Sequence, residues 1–106
     1  PDWLLRVFKG WGDPCPITPN FDGLSIEWTD PSFVNPPYSN PEPWVDRAIE
    51  EHKKGKLIVM LLRVDPSTKW FFKLQVAGAH FFTYLGRLRF IDRSPPFASV
   101  LAILSD

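Results

Sequence analysis

One apolar segment, residues 56–64 (KLIVMLLRV), constrains the fold of this 106-residue chain more than any other feature. A strand that is apolar at nearly every position has no polar face to turn toward water. It is therefore typical of a strand buried on both faces of a parallel sheet. The chain is long enough for one domain built around one core.

A helix is predicted before this strand, over residues 43–54. Asn40 or Glu42 is the expected N-terminal cap, and Pro43 suits the first helical turn. Gly55 is the expected C′ residue. The face predicted to be apolar consists of Trp44, Val45, Ala48, Ile49 and His52.

A second helix is predicted to open at Pro66-Ser67-Thr68 and to end at Gly78, with Asp65, Ser67 and Thr68 as capping residues. Its inner side is expected to consist of Trp70, Phe71 and Leu74. Trp44, Trp70, Phe71, Phe81 and Phe82 are expected to be core residues.

The remaining predicted elements are a short helix at residues 2–9, a strand end that breaks into a proline-rich loop within residues 11–16, and strands at residues 32–34, 80–85, 87–91 and 99–104. Strands that alternate with helices indicate an open α/β sheet with right-handed crossovers. Ligands of such sheets bind beyond the carboxyl ends of the strands. Asp13-Pro14-Cys15-Pro16 and Asn35-Pro36-Pro37-Tyr38 both follow predicted strands. We expect them on the same rim, side by side if their strands are neighbours.

Asn35-Pro36-Pro37-Tyr38 contains the groups needed to hold a planar NH₂. Neither proline donates an N–H, and each keeps the residue before it extended. The loop is therefore stiff and its carbonyls can accept hydrogen bonds. The Asn35 amide oxygen and a backbone carbonyl would bind the amino group of a base, and the Tyr38 ring would stack on that base. The alternative is a proline-rich turn with a packing tyrosine.

Charge divides the chain into two halves although the net charge is zero. Residues 1–52 carry three basic and nine acidic side chains, and residues 53–106 carry nine basic and three acidic ones. Two interpretations stay open. The basic half faces nucleic-acid phosphates, or the two halves pair with each other in the fold.

The single cysteine excludes an internal disulfide and favours a reducing compartment. No Cys/His cluster has zinc spacing, so no metal is expected. No apolar run approaches the roughly 20 residues of a membrane span, so no membrane partner is expected.

The ordered motifs of nearly the whole chain resemble the phage-type (Dam-like) DNA N6-adenine methyltransferases, a compact branch of the S-adenosylmethionine-dependent, Rossmann-like methyltransferases. The resemblance rests on the following stretches: Pro1-Asp2-Trp3-Leu4-Leu5, Asp13-Pro14-Cys15-Pro16, Asn20-Phe21-Asp22-Gly23-Leu24, Asn35-Pro36-Pro37-Tyr38-Ser39, Asp65-x-Ser67-Thr68-x-Trp70-Phe71 and Gly86-Arg87-Leu88-Arg89-Phe90. It implies a compact Rossmann-like methyltransferase sheet with flanking helices, forming a single catalytic domain. The opening stretch looks like the family's Thr-Pro-x-x-Leu without its threonine, so the N-terminus is expected to be truncated.

The resemblance also implies roles for particular residues. Asn35 and Pro36 would accept hydrogen bonds from the adenine N6 amino group in the stiff loop that includes Pro37, and Tyr38 would stack on the flipped base. The cofactor S-adenosylmethionine would be bound by Pro1, Asp13, Pro14, Cys15, Asp22, Gly23 and Leu24. The partner, double-stranded DNA, would be contacted by Ser39, Lys69, Arg87 and Arg89.

Several alternatives remain at this stage. The tetrapeptide also suits methylation of RNA adenine or of a protein glutamine, and an inactive nucleic-acid-binding relative would keep the fold. Pro14-Cys15 is similar to the nucleophilic Pro-Cys of cytosine-C5 methyltransferases, a less favoured interpretation. Asp13 and Asp22 would otherwise only stabilise turns. A homodimer is plausible because a small sheet exposes its edges. The expected location is the cytoplasm of a microbial or virus-infected cell.

Overall fold

A computed structural model of the protein describes residues 6–16, 21–37, 39–83 and 99–105. The elements within these ranges are β1 (Ser32–Val34), α1 (Glu42–Lys53), β2 (Ile58–Arg63), α2 (Lys69–Val76), β3 (His80–Thr83) and β4 (Ser99–Leu104). The predicted helix at residues 2–9 is described only from Arg6, where Arg6 and Val7 are helical. The predicted strand at residues 87–91 lies outside the described residues.

The strands form one mixed sheet in the order β1-β2-β4-β3. β1 and β2 are parallel, whereas β4 is antiparallel to both β2 and β3. The α/β class is confirmed. The prediction that the strand at residues 56–64 lies in a parallel sheet is right for the neighbour β1 and wrong for the neighbour β4. An apolar run indicates that both faces of a strand are covered, and this does not depend on the direction of the neighbouring strand.

β2 is the centre of the core. Met60 is fully buried on the face that packs against Val45 of α1 and Leu74 of α2. Leu61 is buried on the opposite face, where it packs with Phe8 and Phe33. The predicted burial of this strand on both faces is therefore confirmed.

Helix α1 (Glu42–Lys53) lies one residue earlier at both ends than the predicted helix at residues 43–54. It carries proline in the first turn and is followed by Gly55 at a φ of +97°. Its N-cap is Pro41, with no side-chain cap bond, so the prediction of Asn40 or Glu42 as the cap is wrong. Pro41 and Pro43 lack N–H groups, which leaves fewer unsatisfied donors for a cap to bind.

Helix α2 buries Trp70, Phe71 and Leu74 as predicted. Thr68 occupies its N-cap position but makes no side-chain cap bond. Instead, the Thr68 hydroxyl donates to the Asp65 carbonyl, and the Ser67 hydroxyl donates to the Asp65 carboxylate, each at 2.7 Å. The predicted capping set therefore stabilises the preceding loop rather than the helix.

Phe82 was expected in the core but is 56% exposed. Its neighbour Phe81 stacks on Phe71 of α2, with ring centroids 4.9 Å apart. Because side chains alternate along a strand, Phe82 points to the opposite face of β3, which is the end strand of the sheet among the described elements.

Among the described residues, no helix is both long enough and apolar enough to cross a membrane.

A matched pair of valine substitutions tests the position of the core. Val45→Ala in α1 removes the γ-methyl groups of a fully buried side chain, and Val76→Ala in α2 removes those of one that is 71% exposed. Both sites are helical, so the change in helix propensity largely cancels. We expect the free energy of unfolding, measured by urea denaturation, to fall by about 2 kcal/mol for Val45→Ala and by less than about 0.5 kcal/mol for Val76→Ala. Equal losses would contradict the assigned core.

Candidate active site

A parallel bridge beside β1 brings the two predicted rim segments together. The Gly12 N–H donates to the Pro31 carbonyl at 3.0 Å, and the Phe33 N–H donates to the Gly12 carbonyl at 2.9 Å. Gly12 thus pairs with Ser32 in the parallel sense. Residues 13–16 and 35–37 therefore leave the sheet along the same rim, as predicted.

The segment around Gly23 packs directly on residues 13–15. A Cβ atom at Gly23 would lie 1.7 Å from the Pro14 carbonyl oxygen and 2.9 Å from the Trp44 ring. Since neither neighbour leaves room for a side chain, this close approach requires glycine. The structure thus brings together two of the predicted cofactor-binding segments, residues 13–15 and residues 22–24.

Asp13 and Asp22 each close a local turn. The Asp13 carboxylate accepts the Cys15 N–H at 3.2 Å. The Asp22 carboxylate accepts the Leu24 N–H at 3.0 Å and the Ser25 hydroxyl at 2.7 Å. These bonds, first that of Ser25 and then that of Leu24, lower the pKa of Asp22. Both carboxylates remain exposed and keep acceptor capacity toward the solvent.

The environment of Cys15 does not favour a thiolate. Partial burial raises the pKa of the Cys15 thiol, and the negative charge of Asp13 raises it further. A cysteine nucleophile needs a lowered pKa. This finding disfavours the interpretation of Pro14-Cys15 as a nucleophilic motif.

Asn35 follows β1 directly and is exposed, whereas Pro36 is buried. The exposed Pro37 accepts the Asn40 N–H through its carbonyl at 3.2 Å, which closes the loop before α1. Tyr38 lies outside the described residues, and Ser39 is exposed. Asn35 therefore stands exposed at the rim, two residues before the turn that the bond between Pro37 and Asn40 closes.

The predicted DNA-binding residues are only partly described. β2 is parallel to β1, so the loop that follows it reaches the same rim, and exposed Lys69 begins α2 there. At the end of β2, the Arg63 guanidinium lies 5.7 Å from the centre of the Trp70 ring, and its Nε is 3.4 Å from the Asp65 carboxylate. Arg87, Arg89 and Pro1 lie outside the described residues.

A cavity of about 180 Å³ opens beside this rim, between residues 12–14 and residues 26–29. Phe21 and Ser32 complete its lining. Sites for drug-sized ligands measure roughly 300–1,000 Å³. The cavity therefore accommodates one part of such a ligand rather than the whole.

Sequence reasoning missed the two α1 residues that hold residues 22–28 in place, Arg47 and Glu51. The Arg47 guanidinium donates to the Leu24 carbonyl at 3.2 Å and to the Ile26 carbonyl at 2.6 Å. Glu51, which is fully buried, accepts the Trp28 N–H at 2.6 Å. The sequence did contain a signal, because Arg47 and Glu51 are four residues apart and can pair on a helix. Glu51 also lies three residues after Ala48, which places it beside the apolar face.

Glu51 is a buried carboxylate with three strong partners. Lys54 Nζ lies 2.7 Å from one oxygen, and Lys56 Nζ lies 3.0 Å from the other, which also accepts the Trp28 N–H. Burial by itself would raise the pKa of Glu51. The bonds from Lys54, Trp28 and Lys56 outweigh burial and lower the pKa from its ordinary value of 4.5 to about 2.

The two oppositely charged halves of the chain pair with each other within the described residues. Lys54 and Lys56 each bind both Glu51 and Glu27. Lys73 of α2 binds Glu42 at 3.1 Å and a second α1 carboxylate, that of Asp46, at 3.0 Å. For these lysines, the ion-pair interpretation of the charge division is confirmed.

Comparison with known proteins gives one family. Residues 15–98 match the family model described as DNA N-6-adenine-methyltransferase (Dam). A DNA N-6-adenine-methyltransferase of Haemophilus phage HP1 (strain HP1c1) is 51% identical over 57 residues, which cover 52% of this chain and 33% of that protein. One of Escherichia phage T1 is 49% identical over 39 residues, 37% of this chain and 16% of that protein. The chain thus spans about a third or less of these relatives. No solved structure matches it significantly.

The low pKa of Glu51 predicts how stability depends on pH. A carboxylate with a lowered pKa stabilises the fold above its unfolded-state pKa, and this contribution is lost as the pH falls toward the folded-state pKa. Between about pH 5 and about pH 2, we expect the wild type to lose on the order of 3 kcal/mol through this residue. Glu51→Gln is expected to be less stable near pH 7, and its deficit should shrink toward pH 2.

Glu50→Gln is the matched control, because Glu50 is the exposed neighbour on the same helix. Its free energy of unfolding, measured by denaturant titration at each pH, should run parallel to that of the wild type. If the free energy of unfolding of Glu51→Gln also ran parallel to that of the wild type across this pH range, the lowered pKa of Glu51 would be contradicted.

Proposed function

Because this chain belongs to the DNA N-6-adenine-methyltransferase (Dam) family, as its motifs predicted, we propose that it transfers a methyl group from S-adenosylmethionine to the N6 atom of adenine in double-stranded DNA. The parallel bridge between Gly12 and Ser32 carries this proposal. It sets the segment suited to hold an amino group, which begins at Asn35, on the same rim as residues 13–15. The two phage relatives, each named DNA N-6-adenine-methyltransferase, support the same reaction.

Asn35 and Pro36 would act on the target amino group. The Asn35 side-chain oxygen and the Pro36 carbonyl each accept a hydrogen bond from one of its two N–H groups. These bonds direct the nitrogen lone pair outward. Both contacts strengthen as the nitrogen becomes tetrahedral and gains positive charge, so they favour the transition state over the bound substrate. When bound, S-adenosylmethionine supplies an electrophilic methyl group, so the protein needs no nucleophile of its own.

The residues beside the rim suit the methyl donor in chemical type. Exposed Asp13 and Asp22 offer carboxylate oxygens to amino or hydroxyl groups, and Phe21 and Pro14 offer apolar walls to a planar ring. We therefore propose that the methyl donor is bound by Asp13, Pro14, Cys15, Asp22, Gly23 and Leu24, together with Pro1.

On the DNA side, the Tyr38 ring would stack on the extruded adenine, as enzymes that act on a flipped base require. Ser39 and Lys69 follow the carboxyl ends of β1 and β2, so they can bind phosphates beside that base. Arg87 and Arg89 complete the proposed phosphate contacts.

We also propose the finer fold assignment, a Rossmann-like methyltransferase sheet. It is supported by the parallel pair β1 and β2 joined by α1, and by the further parallel bridge at Gly12. In such sheets the ligand lies beyond the carboxyl ends of the parallel strands. A single catalytic domain, a homodimer and a cytoplasmic location remain proposals of the same kind.

The decisive test is incubation with S-adenosylmethionine and unmethylated duplex DNA, followed by nucleoside mass spectrometry. We expect N6-methyladenine from the wild type. Asn35→Ala should lower the rate about 100-fold or more, because it removes an acceptor that acts in the transition state. Asn40→Ala is the matched control: Asn40 lies five residues later, is also exposed and makes no cap bond, so its rate should match the wild type.

Other outcomes would revise the proposal. Donor binding without a methylated DNA base would shift the substrate to RNA adenine or protein glutamine. Neither product nor donor binding would indicate an inactive relative. Equal rates for Asn35→Ala and the wild type would remove Asn35 from the catalytic centre.

Substitutions at Tyr38 test base stacking separately from methyl transfer. Tyr38→Phe keeps the aromatic face and should keep activity within about threefold of the wild type, whereas Tyr38→Ala should cost about 1–3 kcal/mol of base stacking. The readout is the KM for duplex DNA and the fluorescence of 2-aminopurine placed at the target position. Unchanged 2-aminopurine fluorescence in Tyr38→Ala would argue against stacking at this residue.

A further inference from the structure

Residues 22–28 are held in place by side chains of other segments as well as by hydrogen bonds of their own. They form neither helix nor strand, and the Ser25 N–H to Asp22 carbonyl bond, at 3.0 Å, is a turn within them. Two of their carbonyls, those of Leu24 and Ile26, accept bonds from Arg47. An irregular segment of this kind takes its position from the groups that bind its backbone.

The far end of the segment is held in the same way. The Trp28 N–H donates to buried Glu51 at 2.6 Å, and the Trp28 carbonyl accepts Lys56 Nζ, also at 2.6 Å. The indole N–H of Trp28 donates back to the Gly23 carbonyl at 2.7 Å. With the two Arg47 bonds, four carbonyls of this segment are bound by side chains.

We propose that Arg47 and Glu51 are positioning residues that set the affinity for the methyl donor by holding residues 22–28 against Pro14. This inference rests on the proposed function. Gly23 meets the Pro14 carbonyl only while the segment stays in place. A shift of the segment would move Asp22 relative to Asp13, and these are the two carboxylates that the donor would contact.

Helix α1 links this segment to the loop that would hold the amino group. The helix begins at Glu42, directly after the loop that starts at Asn35, and Arg47 lies five residues farther, roughly 8 Å along the axis. Helix α1 is therefore connected at its N-terminal end to the loop that starts at Asn35, and it binds residues 22–28 through side chains farther along the helix. Reactive atoms must be held within a fraction of an ångström for efficient transfer.

Arg47→Lys is the sharpest variant for this inference. Lysine keeps the positive charge near Glu51, but a single ammonium group does not reproduce the planar fork that reaches both carbonyls. Losing one charge-assisted hydrogen bond corresponds to about tenfold in affinity. We expect KM for S-adenosylmethionine to rise about tenfold, with kcat at saturating donor and KM for DNA nearly unchanged.

Lys73→Met is the matched control, because it removes ion pairs from the same helix without touching residues 22–28. Its donor KM should equal that of the wild type. Hydrogen exchange measured without donor supplies a readout independent of activity. Amides of residues 24–28 should exchange faster in Arg47→Lys, while those of β2 should not change.

The outcomes separate the inference from the function on which it rests. Unchanged exchange at residues 24–28 in Arg47→Lys would overturn the holding role. Faster exchange with an unchanged donor KM would leave only a structural role and overturn the positioning role. A wild type that neither binds donor nor methylates DNA would overturn the proposed function and this inference together. An active wild type matched by Arg47→Lys would overturn only the inference.

Discussion

The arrangement of the site depends on the bonds that the buried carboxylate of Glu51 makes with its partners. An unpaired charge in the interior is strongly unfavourable, so Glu51 requires Lys54, Lys56 and the Trp28 N–H around it. Those three partners come from two separate parts of the chain, residue 28 and residues 54–56. By satisfying one carboxylate, the protein anchors an irregular loop to the C-terminal end of a helix. Replacing Glu51 alone would leave the Trp28 N–H without its acceptor, and Lys54 and Lys56 would then share the exposed carboxylate of Glu27 in place of a buried one.

The sheet brings the loops of the candidate site together. The parallel part, consisting of β1, β2 and the bridge at Gly12, directs three loops to one rim. The antiparallel strand β4 lies on the other side of β2 and completes the core. The site and the core therefore share β2, whose residues are buried on both faces.

Local patterns predicted those features that depend on neighbouring residues in the chain. The run at residues 56–64 predicted a strand buried on both faces, and the periodicity around Val45 and Ala48 predicted α1. Predictions failed where a distant contact decides the outcome. Phe82 is apolar like Phe81 but lies on the less covered face of β3, the end strand among the described elements. The expected cap of α1 is absent at a helix start where prolines leave fewer N–H donors for a cap to bind.

The chemical groups of the site could be read from the amino-acid sequence, because motif residues such as Asn35 and Asp22 keep their functional groups in any fold. The sequence also determined the family, since residues 15–98 match one model. The folded chain was needed to show that residues 13–15 and 22–24 touch and that Arg47 and Glu51 hold residues 22–28. The reason is physical: bonds between residue 28 and residue 51 depend on how the chain folds back on itself, and no local periodicity encodes that distance.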